Sequence, residues 1–289
     1  MRLVRHMNAG NLWSLPEASS APQDPVEQVA ALIALGVEGL QHPLVEMLPE
    51  GPLARVGMGR VDAPEDAERL AKAHKALGCP LTTLHVGTGL ETDAEIDRLV
   101  AAVLEASAKH AYPMPIETHR ATVTQDLRRT LDMIDRFPDV RFNADLSHWY
   151  TGHEMTYGDI ARKFDALEPV FQRVRYLHGR IGTPCCAQVP LKDADDDRPF
   201  VDHFREMWRR CFKGFLETAS PQETLPFAPE LLPYEVAFGD TVHPLYYARR
   251  MGDGSDVTEE SDRWGQAEIL WRIAEACAAE VGLQTARAH

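Results

Sequence analysis

Eight short runs of strand character alternate with helical segments along this chain of 289 residues, and that alternation limits the possible folds more than any other feature. The runs are RLVRHM (2–7), GVEGLQ (36–41), ARVGMG (54–59), LTTLHVG (81–87), MPIETHR (114–120), VRFNAD (140–145), VRYLHGRIG (174–182) and LPFAPELL (225–232). Helix punctuation separates most of them. Asp24, Pro25 and Gly36 mark the start and stop of a first helix, with Val26, Val29, Ala30 and Ile33 on its apolar face. Pro64 and Gly78 frame a second, with a stripe of Ala67, Leu70, Ala71 and Leu77. Thr92 and Glu95 form a capping box before Ile96, Leu99, Val100 and Val103. Leu127, Leu131 and Ile134 define a fourth helix, which Pro138 ends. Near the C-terminus Trp264, Ala267, Leu270, Trp271, Ala274, Cys277 and Val281 recur at helical spacing, so both tryptophans are predicted core residues. The third strand has almost no helix before it.

Eight strands and their helices in a chain of this length predict one α/β domain over residues 1–289, a (β/α)8 or TIM barrel. A doubly wound sheet is the competing architecture, but no Gly-x-Gly-x-x-Gly turn supports its dinucleotide-binding form. The segment 191–200, LKDADDDRPF, reads as a solvated acidic loop, and 234–261 as a long excursion that partly covers the barrel mouth.

Composition narrows the function classes. No apolar run is long enough to span a membrane, and the N-terminal MRLVRHMNAG is too short and polar for a signal peptide. Five cysteines, without a Cys-x-x-Cys, argue against a disulfide framework or a zinc ribbon and favour a reducing cytoplasm. The adjacent Cys185 and Cys186 read as plain thiols. A net charge of −14 disfavours nucleic acid and favours a small-molecule substrate. A homo-oligomer is left open.

Four strands end in ionisable groups where a buried run should stay apolar. The fifth ends in Glu117, the sixth in Asp145 with His148 three residues on, the seventh in His178 with Arg180, and the eighth in Glu230. Strand C-termini converge at the mouth of a barrel. Three carboxylates placed so close repel one another unless a cation sits between them. Carboxylate oxygens plus one imidazole suit a divalent ion such as Mn²⁺, Mg²⁺, Co²⁺ or Zn²⁺. Glu117, Asp145, His178 and Glu230 are therefore the expected metal ligands. Asn143, two residues before Asp145, points into the same barrel and is expected to orient that carboxylate. His119 lies on the same side as Glu117 if the strand continues, which makes it a candidate substrate contact, and Trp149 either stacks on a sugar face or packs under its loop. His6 and Trp13 are further candidates near the first strand.

The stretches PIETHR, ADLSHW, HGRIG followed by Gln188-Val-Pro, and FAPELLPY resemble the xylose-isomerase-like barrels, the sugar phosphate isomerases and epimerases. The resemblance covers nearly the whole chain in element order. It implies one divalent metal on Glu117, Asp145, His178 and Glu230, and substrate contacts by His148 and Arg180. It also makes His85 a candidate for the pocket lining. Many relatives have a Glu after the second strand where this chain has Gln41. The implied activity is isomerisation or epimerisation of a small sugar, keto-sugar or polyol through an ene-diolate, with Glu117 and Glu230 as base and acid. Metal-dependent elimination on a keto-inositol or a 3-keto-glycoside begins with the same proton abstraction and stays open. So does a non-catalytic barrel serving as a binding or partner subunit. The apurinic endonucleases share the framework, but their Asp-x-His after the seventh strand is missing from HGRIGTPCCAQVP.

Overall fold

The computed structural model describes residues 1–48, 51–238, 241–252 and 258–285. Eight parallel strands close into a barrel: β1 (Arg2–Asn8), β2 (Val37–His42), β3 (Ala54–Val61), β4 (Thr82–Val86), β5 (Ile116–Glu117), β6 (Phe142–Ala144), β7 (Val174–Gly179) and β8 (Thr224–Pro229). Each pairs with its neighbour in chain order, and β8 returns to β1 with Arg2 opposite Thr224 and Arg5 opposite Phe227. All eight strands expected from the sequence are present. The third forms although only a 3-10 turn, Val45–Met47, precedes it, because it is hydrogen-bonded to β2 on one side and β4 on the other.

The helices α1 (Pro25–Ala34), α2 (Pro64–Ala76), α3 (Asp93–His110), α4 (Leu127–Arg136) and α9 (Arg263–Glu280) lie where the punctuation puts them. Asp24 caps α1 by accepting from the N–H groups of Val26 and Glu27. The face of α1 differs from the expected one. Gln28 and Leu32 are buried, while Val26 and Ile33 are exposed. Gln28 turns inward because its side-chain amide donates to Pro22 O at 2.9 Å. Trp264 and Trp271 are buried as expected.

Four further helices have no counterpart in the sequence reading: α5 (Leu146–Gly152), α6 (Ile160–Ala166), α7 (Glu168–Phe171) and α8 (Pro199–Thr218). The start of α8 corrects the acidic loop. Lys192, Asp193, Asp195 and Asp197 are exposed, but Asp196 is buried. It accepts from the backbone N–H groups of Lys192 and Arg198 and from the Arg198 guanidinium, fastening the loop to the helix.

The main core lies between the strands and the surrounding helices. Inside the barrel, Val56, Tyr176 and Ala228 form a small separate apolar cluster. Above it the interior is polar, with His6, Asn8, Gln41, Thr83, Asn143 and His178 all buried. Gly39 makes room for this filling, since a Cβ there would lie 2.5 Å from the His6 ring. The excursion after β8 forms two antiparallel pairs, β9 (Glu235–Phe238) with β10 (Thr241–Pro244) and β11 (Arg250–Met251) with β12 (Thr258–Glu259). Residues 239–240 and 253–257 of the expected mouth-covering segment lie outside the described residues. A short last strand, β13 (Gln284–Thr285), pairs with β1. Among the described residues no helix is long and apolar enough to cross a membrane.

Candidate metal centre

The short strands β5 and β6 and the ends of β7 and β8 bring four ionisable side chains together. Glu117, Asp145, His178 and Glu230 each offer one ligand atom, these atoms lie within 4.8 Å of one another, and all four residues are buried. The backbone is pinned at this point. Thr124 Oγ1 donates to Glu117 O at 2.6 Å and Thr118 Oγ1 to Asp145 O at 3.0 Å.

The three carboxylates follow one plan, with one oxygen tethered and the other turned to a common centre. Glu117 Oε2 accepts from Asn143 Nδ2 at 2.9 Å. Asp145 Oδ1 accepts from the Ser147 N–H at 3.1 Å and its hydroxyl at 2.6 Å, which also caps α5. Glu230 Oε1 accepts from Asn8 Nδ2 at 3.0 Å. Their second oxygens lie 3.6, 3.9 and 3.2 Å, respectively, from Nδ1 of His178. The other ring nitrogen, Nε2, donates to Gln41 Oε1 at 2.8 Å. A carboxamide oxygen only accepts, so Nε2 carries the proton. Gln41 is itself fixed, donating to Thr83 Oγ1 at 2.7 Å and accepting from Asn8 Nδ2 at 2.9 Å.

Ligands about 2.1 Å from a single divalent ion are themselves ~3–4 Å apart, the range seen here around His178. Glu117 Oε1 is buried with no hydrogen-bond partner, a costly arrangement that a cation would relieve. The donor set and its geometry fit a divalent ion.

Without an ion, protein groups alone balance the charge. Burial drives the His178 pKa down, but Glu230 and Glu117 outweigh it and hold the ring protonated well above the ordinary histidine range. Burial alone would raise the Glu117 pKa, yet His178 and His85 keep it well below the usual carboxylate range. Arg180, 1% exposed, places one guanidinium nitrogen against Asp145 Oδ2 and 3.1 Å from Glu230 Oε2, while its Nε donates to Ser147 Oγ at 3.0 Å.

A cavity of about 160 Å³ opens beside this cluster. Glu230, Arg180, His85, His119, Asn8 and Trp13 are among the residues that line it. His85 Nε2 lies 3.2 Å from Glu117 Oε1 and stands between Glu117 and the cavity. Burial would lower its pKa, but the charge of the neighbouring Glu117 carboxylate outweighs this and raises it.

Two expected substrate contacts do not reach the cavity wall. Trp149 packs in the core with its indole N–H donating to Thr124 O at 2.7 Å, so no ring face is available for stacking on a sugar. His148 is also buried. Its Nε2 lies 2.8 Å from the Arg180 guanidinium, and the His119 ring covers it at a centroid distance of 3.8 Å. Burial first, then Arg180 and His119, hold His148 neutral, well below the usual histidine pKa. It packs against Arg180 and His119 and does not line the cavity. His6 is likewise buried below the centre, against Tyr176.

Asn8 and Asn11 are components that sequence reasoning missed. Asn8 tethers both Glu230 and Gln41. Asn11 brackets Glu230 in the chain, donating to Pro229 O at 2.7 Å and accepting from Leu231 N at 3.0 Å. Gln188 continues the clamp through paired bonds with the backbone of Leu232 at 3.0 and 2.9 Å. The available signal was position: Asn8 ends β1 as Gln41 nears the end of β2.

No family model matches the chain, and no curated protein matches it. Solved structures do resemble it. A xylose isomerase-like TIM barrel protein from Mycobacterium smegmatis in complex with magnesium is 15% identical over 97% of this chain and 98% of that one, with a TM-score of 0.57. A D-tagatose 3-epimerase-like protein is 10% identical over 98% and 100%, with a TM-score of 0.54. A probable 3-DHS dehydratase from Bacillus anthracis is 14% identical over 78% and 92%, with a TM-score of 0.52. At these identities the likeness establishes the barrel fold.

Proposed function

We propose that the chain is a divalent-metal-dependent isomerase or epimerase of small sugars, keto-sugars or polyols, with Glu117, Asp145, His178 and Glu230 holding the ion. The observation that carries this reading is the plan of the three carboxylates, each tethered by one oxygen and turned by the other toward Nδ1 of a histidine whose Nε2–H is fixed by Gln41. The fold likeness to an epimerase-like protein and to a barrel solved with magnesium supports it. The metal is one of Mn²⁺, Mg²⁺, Co²⁺ or Zn²⁺, with manganese the first choice for an oxygen-rich set.

When bound, the ion would polarise a carbonyl and its neighbouring hydroxyl and so acidify the proton between them. The chain's own groups handle that proton. Glu230 faces the cavity and is the base on one side. On the other side Glu117 is 1% exposed behind His85, so His85 meets the ligand and exchanges its proton with Glu117. The Arg180 guanidinium, fixed by Asp145 and Ser147, holds the developing oxyanion.

Elimination of water from a keto-polyol is the second reading, supported by the fold likeness to a probable dehydratase. A free small carbohydrate rather than nucleic acid, and a cytoplasmic location, complete the proposal. It is tested by metal analysis of the purified protein and of Asp145→Ala, with product analysis on a keto-sugar panel. An equimolar divalent ion, lost in the variant, is expected. Glu230→Gln and Glu117→Gln are expected to cut turnover by orders of magnitude without unfolding the chain. No bound ion, or near-normal turnover in either variant, would overturn the assignment.

A further inference from the structure

The inner cavity does not end the open space at the barrel mouth. A second chamber of about 940 Å³ lies beyond it, lined by the loop after β7 and by the excursion after β8. The two meet along a thin wall. His119 lines the inner cavity and Arg120 the outer chamber; Leu232 lines the inner and Leu231 the outer; Tyr247 lines both. The Tyr247 ring is in contact with two guanidiniums, with Arg180 Cζ 4.8 Å and Arg120 Cζ 5.4 Å from its centroid. A ligand long enough to pass Tyr247 occupies both spaces.

The described lining of the outer chamber is rich in arginine, in contrast to the acidic molecule as a whole. The chain as a whole is at −14, yet among the described residues the chamber is lined by five arginines and one acid, Glu260. Two of the five are engaged. Arg198 is paired with Asp196, and Arg263 with Glu259 and the carbonyls of residues 10–14. The other three are weakly held. Arg249 lies 3.6 Å from Glu260, and Arg250 is 4.0 Å from Glu235. Among the described residues no carboxylate pairs with Arg120, whose guanidinium donates only to the Tyr247 hydroxyl at 3.2 Å. Beside them Tyr246 is 68% exposed and sits at φ +59°, a conformation unfavourable for a bulky side chain, while Leu245 and Tyr246 both donate to Tyr234 O at 2.8 Å. Strain held in place by the backbone, an exposed aromatic ring and weakly paired guanidiniums make a recognition surface rather than a solvated loop.

We infer that the substrate is an elongated carbohydrate bearing an oxyanion, with its reacting carbons in the inner cavity and its anionic substituent against Arg120, Arg249 and Arg250 in the outer chamber. This rests on the sugar reading of the inner site and extends it to the far end of the ligand. A phosphate ester and a carboxylate present the same chemistry to a guanidinium, and the probes separate them.

The test is titration calorimetry of the metal-loaded protein at low salt with fructose, fructose 6-phosphate and glucuronate. A charge-assisted contact to arginine implies that at least one anionic probe binds about tenfold more tightly than fructose. In Arg120→Ala/Arg250→Ala that preference is expected to vanish, with metal content and unfolding midpoint unchanged. A preference for the phosphate alone or for the carboxylate alone assigns the anion. Equal binding of all three probes to the wild-type protein, or an anion preference that survives in the variant, overturns the inference. Loss of the metal itself would instead count against the inner-site reading, and that is measured separately on the same samples.

Discussion

Arg180→Met is the substitution that best separates the two ways of balancing charge at the centre. The guanidinium is 1% exposed, touches Asp145 Oδ2, lies 3.1 Å from Glu230 Oε2 and donates to Ser147 at 3.0 Å. Methionine keeps the length of the stem and removes the charge. Two buried carboxylate oxygens then lose their cation, and breaking such a pair costs ~3–5 kcal/mol. Unfolding entropy of about 2.1 cal/mol/K per residue over 289 residues converts this into a fall of roughly 5–8 °C in Tm. A divalent ion supplies the missing positive charge, so saturating Mn²⁺ should raise the Tm of the variant by more than it raises that of the wild-type protein. Scanning calorimetry of both proteins in EDTA and in Mn²⁺ measures all four values. Unchanged Tm in EDTA would refute the charge argument. An Mn²⁺ response that is no larger in the variant would refute the claim that ion and guanidinium compensate the same carboxylates.

Two further outcomes follow from neighbouring contacts. Gln41→Leu removes the acceptor that sets the His178 Nε2–H and should weaken divalent-ion affinity by about 10–100-fold, read by metal titration, with the barrel still folded. His6 is held at a pKa of about 4 by burial, with Glu38 opposing and Arg2 adding to the shift. Its folded pKa is depressed below the ~6.5 of an exposed imidazole, so its stabilising contribution is complete above about pH 6.5 and is lost as the pH falls toward 4, by up to roughly 3 kcal/mol. His6→Phe should therefore unfold less steeply with acid than the wild-type chain, and parallel stability–pH curves would contradict this.

The site was legible where its chemistry violates a local rule. Glu117, Asp145, His178 and Glu230 stand out because each puts an ionisable group where a buried strand should finish apolar. The barrel was legible for a related reason, since Pro, Gly, Asp and the Thr92–Glu95 capping box punctuate α1 to α4 and leave short apolar runs between them. What stayed hidden depends on partners far away in the chain. Asn8 looks like an ordinary turn residue until folding brings it to Glu230, 222 positions on. The spacing of Asp145 and His148 follows from one helical turn, but whether His148 meets solvent depends on His119, which arrives from the loop after β5 to cover it. The start of α8 was disguised by its acidic composition, because one of those acids, Asp196, serves as an internal clasp.

The four candidate ligands all come from β5 to β8, and of the amides that steady them Asn143 lies in β6 while Asn8 and Gln41 come from β1 and β2. The half of the barrel that holds no ligand is thus wired to the half that does. Filling the centre is therefore expected to be felt in strands that never touch the ion, and slower exchange of the backbone amide protons of β1 and β2 on adding metal would register its occupancy.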